Sequence, residues 1–399
     1  MKWEKKKLCE CTEYITDGDH QPAPKADKGV HFIKIKDIVN NQVSFDAQVY
    51  VPQEYYDNLP MERKPQKEDV LYTVVGSFGI PSYVQTDELF CFERNIALLH
   101  PNKDIEPRFL YYSLKNPAFY KGVEIVANGS AQKLIPLSKL KDLKISIPDK
   151  EAQRHIADIL SAYDDLIENN QKQIKLLEEA AQRLYKEWFV DLRFPGHENT
   201  KIVDGVPEGW SKSTVSEVSA VLRRGISPKY NEKARGIVIN QKCIRQTIVS
   251  YDEARTQEKK YPDELKMMES DILICSTGAG TLGRVGQIFE AKENVTLDSH
   301  VTLIRANEKV RQQYLFWSLK MQQDYLMSAG KGSTNQLELS RETIGNCEIL
   351  VPERKMAGQA EKNFAAIHDK MKECSMKITR LREARDLLLP KLMSGGMEV

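Results

Sequence analysis

Residues 110–115 read LYYSLK, and residues 315–320 read LFWSLK. Both stretches begin with a leucine and two aromatic residues and end in Ser-Leu-Lys, and their first positions lie 315 − 110 = 205 residues apart. A motif that returns after half of a 399-residue chain indicates an internal duplication, which has to be established before other features are interpreted.

The duplication extends over both halves of the chain. The other matched pairs are Trp3 with Trp210, Gly29-Val30 with Gly236-Ile237, Gly76-Ser77-Phe78-Gly79 with Gly280-Thr281-Leu282-Gly283, Gly129-Ser130 with Gly332-Ser333, and Ile147-Pro148 with Val351-Pro352. Their spacing stays between 203 and 207 residues, which indicates one duplicated unit with small changes in loop length. Short β-branched runs, such as residues 30–35 and 301–304, predict a strand-rich mixed fold in each copy.

Each copy ends in a long amphipathic segment. Its apolar positions recur at alternating steps of four and three residues, the heptad pattern of helices that pack along a seam. The first seam consists of Ile156, Leu160, Tyr163, Ile167, Asn170, Ile174 and Leu177, continued by Ala181, Leu184 and Trp188. The second consists of Ala360, Phe364, Ile367, Met371, Cys374, Ile378, Leu381, Arg385, Leu388 and Leu392. Two seams in matching register predict helices that pack on each other, with Asn170 as a polar residue that sets the register.

These patterns divide the chain into four parts. A globular half covers residues 1–150, a long helix 151–194, a second globular half 195–352 and a second long helix 353–399. Pro148 and Pro352 immediately precede the helices, as prolines at helix starts often do. The expected fold class is therefore α+β, with two duplicated mixed α/β domains separated by two long helices.

Composition excludes several classes of protein. No stretch is long and apolar enough to cross a membrane, so a cytoplasmic location is expected. The seven cysteines are scattered, with no Cys-x-x-Cys pair and no histidine at zinc-finger spacing, which predicts reduced thiols and no metal site. The net charge of +1 is uninformative, but residues 211–260 contain eleven Lys or Arg against five Asp or Glu.

One motif indicates a different function. Residues 278–283, GAGTLG, match the Gly-x-Gly-x-x-Gly fingerprint of dinucleotide-binding folds. That fingerprint requires a helix directly after it, whereas residues 284–289 alternate as a strand does. Only the Gly-x-x-Gly part recurs in the other copy, so we predict tight turns with positive φ at Gly76, Gly79, Gly280 and Gly283. A nucleotide-dependent enzyme is the weaker alternative.

Several short motifs follow one another in a fixed order. Val206-Pro207-Glu208-Gly209-Trp210 begins a domain, Gly-Ser-x-Gln and Gly-Ser-x-x-Gln segments end at Gln132 and Gln336, and an apolar-x-Ile/Val-Pro sequence precedes each helix. In this order and duplication the chain resembles, over nearly its whole length, the specificity subunit of type I restriction-modification systems. The first copy departs from the pattern because no Pro-Glu-Gly precedes Trp3.

The resemblance implies a function for each part of the chain. Each globular half would be a target-recognition domain for one half of a split double-stranded DNA site. The two helices would form an antiparallel coiled coil that separates the domains and binds methyltransferase subunits, two in number. Restriction subunits would join through the assembled complex.

Candidate DNA-binding residues follow from charge and polarity. Lys and Arg bind phosphates, whereas polar side chains in a groove recognise bases. The densest basic group, with its interleaved tyrosine, consists of Arg223, Arg224, Lys229, Tyr230, Lys233, Arg235, Lys242 and Arg245. The Gly-Ser segments add Gln132, Lys133, Asn335 and Gln336. For any single member of the basic group, a solvated surface charge is an equally good explanation.

The sequence contains no motif for catalysis. It lacks the Asn/Asp-Pro-Pro-aromatic motif of amino-methyltransferases and the phosphate loop of nucleotide hydrolases, and its seven histidines form no ligand pattern. We therefore expect no catalytic residue, no cofactor and no metal in this chain. A non-catalytic coiled-coil scaffold is the second hypothesis, which a DNA mobility-shift test would separate from a DNA-recognition subunit.

Overall fold

The computed structural model describes residues 3–20, 22–39, 41–46, 48–127, 133–278, 280–332 and 337–397. The chain folds as two compact units. The first unit contains residues 1–168 and 378–399, and the second contains residues 169–377. Each unit thus combines one globular half with parts of both long helices.

The first globular half is a mixture of short strands and short helices. Its strands are β1 (Glu4–Lys7), β2 (Thr12–Asp17), β3 (Val30–Ile33), β4 (Ile38–Val39), β5 (Gln42–Val43), β6 (Tyr50–Val51), β7 (Val70–Thr73), β8 (Pro81–Tyr83), β9 (Phe90–Phe92), β10 (Ile96–Pro101) and β11 (Lys144–Ile147). Its helices are α1 (Leu8–Cys11), α2 (Gln53–Asp57), α3 (Pro107–Lys115), α4 (Pro117–Val126) and α5 (Leu137–Asp142). The first long helix, α6, covers Lys150–Tyr185 and continues as a π-helical turn over Lys186–Val190.

The second globular half contains the same kinds of element. Its strands are β12 (Ile202–Val203), β13 (Val206–Pro207), β14 (Ser211–Thr214), β15 (Ser219–Arg224), β16 (Gly236–Ile239), β17 (Arg255–Gln257), β18 (Ile272–Cys275), β19 (Val285–Gln287), β20 (Val295–Leu297), β21 (Val301–Ala306) and β22 (Glu348–Val351). Its helices are α7 (Val215–Val218), α8 (Gln312–Met321), α9 (Gln323–Ser328) and α10 (Arg341–Gly345), and the second long helix is α11 (Arg354–Met393).

The sheets repeat from one half to the other. A four-stranded antiparallel sheet has the order β2-β10-β7-β8 in the first half and β15-β21-β18-β19 in the second. Three-stranded sheets β6-β3-β9 and β17-β16-β20 each pair their middle strand antiparallel on one side and parallel on the other. The pairs β1-β11 and β14-β22 also correspond. The duplication seen in sequence is therefore a duplication of topology.

The inner strands explain why the sequence forms these sheets. All four residues of β7 and all four of β18 are buried, and both strands are continuous runs of β-forming residues without the polar alternation of a half-exposed strand. Strand β7 belongs to a core of the first unit that also contains the α3 stretch LYYSLK. Strand β18 belongs to a core of the second unit that contains the matching α8 stretch LFWSLK. The repeated stretches LYYSLK and LFWSLK are thus parts of two core helices.

In the first unit, the beginning of α6 packs against the end of α11. Ile156 and Leu160 share an apolar cluster with Leu389 and Leu392. Asp149 directly precedes α6. Its carboxylate accepts the backbone N–H of Ala152 at 2.9 Å and satisfies one of the free donors at the start of the helix. The heptad positions near this end of α6 therefore serve the core of the first unit.

In the second unit, the later part of α6 packs against the beginning of α11. Ile174 and Leu177 lie against a cluster that contains Phe364 and Met371. The predicted seam residues are all buried or half-buried, and this holds for Ile156, Leu160, Tyr163, Ile167, Asn170, Ile174, Leu177, Phe364, Ile367, Met371, Ile378, Leu381 and Leu388. None of the described helices is long and apolar enough to span a membrane.

Candidate nucleic-acid interface

Both halves have a glycine-rich hairpin turn at the same place. The turn between β7 and β8 contains Gly76 and Gly79, with φ of 71° and 84°, and the turn between β18 and β19 contains Gly280 and Gly283, with φ of 73° and 75°. Such left-handed backbone favours glycine because it has no Cβ. The second glycine of each turn also lies against a helix. A Cβ on Gly79 would be 2.5 Å from the Tyr120 ring, and one on Gly283 would be 2.4 Å from a backbone nitrogen of α9.

The same geometry bears on the dinucleotide alternative. The chain continues from Gly283 into strand β19, so no helix N-terminus follows the glycines to hold a pyrophosphate. The dinucleotide fingerprint also requires an acidic ribose ligand about 20 residues further on, and Asp298 lies at roughly that distance. Asp298 is 2% exposed, and its carboxylate accepts the backbone N–H of His300 at 2.8 Å. Burial raises the pKa of that carboxyl. Asp298 therefore closes the turn between β20 and β21.

Described residues that flank the Gly-Ser segments lie beside these glycine turns. In the first half, the Gly76 N–H donates to the Lys133 carbonyl at 3.2 Å, and Lys133 Nζ is 5.6 Å from the centre of the Phe78 ring. In the second half, Thr277 and Lys331 both pair through the backbone with Glu338. The candidates Gln132, Asn335 and Gln336 lie outside the described residues. This juxtaposition joins segments about 55 residues apart, so no local sequence signal could have predicted it.

Most of the basic candidates have an acidic neighbour. Arg223 binds Glu264, and Arg224 binds Glu338 at 2.6 Å. Lys229 pairs with Glu258, and the Arg245 guanidinium lies 3.7 Å from Glu253. Two of the four glutamates, Glu264 and Glu338, lie outside residues 211–260. The local excess of positive charge counted along the sequence is therefore larger than the excess that the folded surface presents.

Three of the exposed basic candidates have no acidic neighbour among the described residues. Lys233, Arg235 and Lys242 are exposed, and within the described residues none of them forms an ion pair. Tyr230 is also partly exposed, with the Arg255 guanidinium 3.5 Å from its ring centre. These residues lie before and after strand β16, in the loops that connect it to β15 and β17. They are the cations most accessible to a phosphate.

The two arginines of β15 lie on opposite sides of their strand. Successive side chains of a strand point to opposite faces, so Arg223 and Arg224 cannot contact the same partner surface. Their environments differ accordingly, since 44% of the Arg223 side chain is exposed but only 25% of the Arg224 side chain. The two arginines are adjacent in the sequence, but their side chains have different partners and different exposure in the structure.

Other groups that could support chemistry are few. Among the described residues, no three His, Cys, Asp or Glu side chains are arranged to hold a metal ion. The seven cysteines are all free thiols, with Cys9 exposed and the other six buried. Near the second glycine turn, Thr277 Oγ1 and His300 Nδ1 lie 2.6 Å apart. Sequence reasoning did not single out either residue.

Comparison with known proteins identifies the family. The model of the type I restriction modification DNA specificity domain matches residues 1–179 and 207–369, one match in each half. The chain is 26% identical over 323 residues to the MjaIX specificity subunit of Methanocaldococcus jannaschii, covering 77% of this chain and 72% of that one. It is 25% identical over 446 aligned positions to the HindI specificity subunit of Haemophilus influenzae, covering 92% of this chain and 94% of that one.

A solved structure has the same fold. The crystal structure of the type I restriction-modification S subunit from M. genitalium superimposes with a TM-score of 0.57 at 18% identity, covering 98% of this chain and 96% of that one. The resemblance inferred from the motif order is thus confirmed by the family match. Since the two matches cover most of the chain, the protein belongs to the family of type I restriction-modification DNA specificity subunits, which recognise DNA without catalysing its cleavage or methylation.

Proposed function

We propose that each globular half recognises one half of a bipartite DNA site. The observation that carries the proposal is the repeated topology, in which two copies of one sheet arrangement each have a glycine turn beside residues that flank a Gly-Ser segment. Two copies of one recognition fold suit a target with two recognised segments. The domain boundaries at residues 150, 194 and 352 are part of this proposal, as is the cytoplasmic location of the complex.

In this proposal α6 and α11 form an antiparallel coiled coil that sets the distance between the half-sites. Two sets of contacts support it. In the first unit Asp164 of α6 binds Arg385 near the end of α11, and in the second unit Gln173 accepts a hydrogen bond from Cys374, nearer the middle of α11. Later positions on one helix therefore meet earlier positions on the other. At about 1.5 Å per residue, the 36 residues of α6 extend about 54 Å, longer than one turn of DNA.

The partners follow from the same proposal. Two methyltransferase subunits would bind the paired helices, one for each domain, and restriction subunits would join the complex through them. Double-stranded DNA would contact the domains through exposed cations such as Lys233, Arg235 and Lys242. A scaffold without DNA binding is the competing function, and mobility shifts of the assembled complex across salt concentrations separate the two, since a scaffold would give no shift at any salt concentration.

Exchange of one half tests the recognition proposal. Residues 1–150 would be replaced by the equivalent region of a related specificity subunit, and the methylated sites of the assembled complex would be mapped. One half-site should change while the other stays the same. If both half-sites changed together, recognition would not be divided between the halves.

Heptad insertion tests the spacing proposal. One heptad would be added to each helix, between Ile167 and Leu184 and between Met371 and Leu388, which keeps the apolar period of seven. The gap between half-sites should lengthen by about 10 Å, or about three base pairs. A control with two added residues should disturb the seam beyond the insertion and impair assembly. An unchanged preferred gap in the heptad variant would show that the helices do not set the spacing.

A further inference from the structure

The guanidinium of Arg224 is bound to the segment that follows the second Gly-Ser motif. Its Nη1 donates to Glu338 Oε1 at 2.6 Å, and its Nη2 donates to the Leu339 carbonyl at 2.8 Å. The third nitrogen, Nε, is buried and has no hydrogen-bond partner among the described residues. A planar guanidinium that donates two bonds in one plane fixes orientation as well as distance.

Glu338 is the last residue of a segment, residues 331–338, that contains the second Gly-Ser motif. Its first and last residues are paired with each other. Lys331 and Glu338 exchange both backbone hydrogen bonds, at 3.0 and 2.9 Å. The next residue, Leu339, donates its N–H to the Ser276 carbonyl at 2.8 Å, directly after strand β18. The base of the segment is therefore attached to the strand that leads into the Gly-x-x-Gly turn, and Arg224 holds this base from β15.

No equivalent arginine contact occurs among the residues of the first half that the structure describes. Arg224 pairs with Thr302 in the sheet, and the corresponding register in the first half pairs Asp17 with Ala97. The equivalent of Arg224 is therefore an aspartate, whose carboxylate lies 3.2 Å from His20. Described backbone contacts of the corresponding segment in the first half are the Gly76 N–H to the Lys133 carbonyl at 3.2 Å and the Ile135 N–H to the Val74 carbonyl at 2.9 Å. The arginine contact is a feature of the second half.

We propose that Arg224 is a positioning residue for base recognition by the second half, and that it does not bind a phosphate. The inference rests on the proposed function of that half. Because both terminal nitrogens are engaged and three quarters of the side chain is covered, the charge of Arg224 is used within the protein. Its effect on DNA would come from holding the Lys331–Glu338 base against β18.

The two roles differ in their dependence on salt. A lost phosphate contact weakens binding to all sequences alike and lowers the slope of log K against log salt by about 0.9. A lost positioning contact leaves the slope unchanged and weakens discrimination between bases. Replacing Glu338 by Gln separates the roles further, because a neutral amide would release the Arg224 charge for a phosphate while it weakens the charge-assisted positioning contact.

The experiment uses the complex assembled with its methyltransferase. Arg224→Ala and Glu338→Gln would be compared on a library of sites varied in either half, at several salt concentrations. Arg224→Ala should reduce discrimination at the second half-site by about tenfold, as expected for one charge-assisted contact, and Glu338→Gln should reduce it by a smaller factor because its amide oxygen still accepts a hydrogen bond. The first half-site and the salt slope should be unchanged in both variants. Arg224→Lys should lie between wild type and Arg224→Ala, because an ammonium does not reproduce the planar two-bond contact.

Lys309→Ala is the control, because Lys309 is an exposed cation of the same half that is not among the candidate DNA contacts. It should leave discrimination at the second half-site unchanged. The inference is overturned if Arg224→Ala lowers the salt slope by about 0.9, if Glu338→Gln strengthens binding, or if both variants discriminate as the wild type does. Glu338→Gln keeps the test usable if Arg224→Ala does not fold, since the Glu338 side chain is 56% exposed. A wild-type complex without sequence preference would instead refute the proposed function.

Discussion

Asp69 in the first half and Asp271 in the second occupy the same place in the fold but have different partners. Each lies directly before the central strand of its sheet, and each carboxylate accepts a backbone N–H from three residues earlier at 2.7 Å. Asp69 is 0% exposed and Asp271 is 2% exposed. Burial raises the pKa of both carboxyls. Both halves therefore need a group that compensates for a buried acid.

The compensating groups come from one position of the neighbouring strand. In the first half His100 Nδ1 is 2.6 Å from Asp69. In the second half Arg305 donates from Nε and Nη2 to the two oxygens of Asp271, at 2.6 and 2.8 Å. Arg305 also donates to the carbonyls of Glu264 and Lys266, at 2.9 and 2.7 Å.

The difference shows what the duplicated fold requires and what it leaves open. It requires a hydrogen-bonding partner for the buried acid, but an imidazole and a guanidinium both meet that requirement. Arginine keeps its charge at any ordinary pH and has five donors, so it also fixes the loop before β18. Histidine has only two ring nitrogens, and His100 contacts Asp69 through Nδ1 alone. The second half therefore depends more heavily on this one residue.

The largest effect is expected from Arg305→Ala. The substitution leaves Asp271 buried without its cation and removes two bonds to loop carbonyls, and breaking a buried pair costs about 3–5 kcal/mol. Urea unfolding followed by tryptophan fluorescence would measure the loss, because Trp188, Trp210 and Trp317 lie in the second unit and only Trp3 in the first.

Arg235→Ala provides the control for this experiment. Arg235 is exposed and, among the described residues, forms no ion pair, so its removal should change stability by less than about 0.5 kcal/mol. An Arg305→Ala protein within about 1 kcal/mol of wild type would mean that the Asp271 carboxyl is protonated or otherwise compensated. The different partners of Asp69 and Asp271 would then make no difference to the stability of the two halves.

A smaller loss of stability is expected when the acid of each pair is replaced instead of its partner. Asp271→Asn leaves the largely buried Arg305 guanidinium with a weaker acceptor and should cost about 2–3 kcal/mol. Asp69→Asn weakens one contact with His100, where Asp271→Asn weakens a two-bond contact with an arginine, and it should cost about 1 kcal/mol. Pulse proteolysis, with fragments of residues 1–168 and 169–377 followed separately by mass spectrometry, would assign each loss to its unit. Equal losses in the two units would contradict the comparison.

Sequence patterns predicted the repeated parts of the molecule better than the connections between them. The offset of 203 to 207 residues and the heptad steps are local regularities, and they located the duplicated topology and the buried faces of α6 and α11. The Gly-x-x-Gly spacing likewise indicated turns, and its glycines have positive φ. These features depend on backbone geometry and on apolar periodicity, which a single sequence records directly.

The ion pairs could not be predicted in this way. Arg223 and Glu264 are 41 residues apart, and Arg224 and Glu338 are 114 residues apart. Such pairs exist only after the sheet order is known, and nothing in the spacing of charged residues indicates which acid meets which base. The DNA-contact candidates therefore stay predictions, although the structure distinguishes the exposed cations from those already engaged.

The last comparison returns to the two lysines that end LYYSLK and LFWSLK. Lys115 Nζ lies 3.7 Å from Asp164 and donates to the Tyr111 hydroxyl at 3.2 Å, whereas Lys320 Nζ donates to the Val285 carbonyl at 3.1 Å. Burial lowers the pKa of both amines, that of Lys115 to about 8, and the nearby carboxylates oppose the shift. Both halves thus hold a lysine in surroundings that favour its neutral form.

Lys115→Met should remove a pH dependence from the first unit. An amine whose pKa falls from 10.5 in the unfolded chain to about 8 in the fold destabilises the fold below pH 8, and that cost is relieved as the pH rises from about 8 towards 10.5. Between pH 8 and about 9.5 the wild type should gain on the order of 1 kcal/mol relative to the variant. Burial holds the pKa values of Tyr111 and Tyr112 well above this range, so their ionisation does not interfere. Pulse proteolysis of residues 1–168 across this range measures the gain, with the exposed Lys121→Met as control, and parallel curves for wild type and Lys115→Met would contradict the shift.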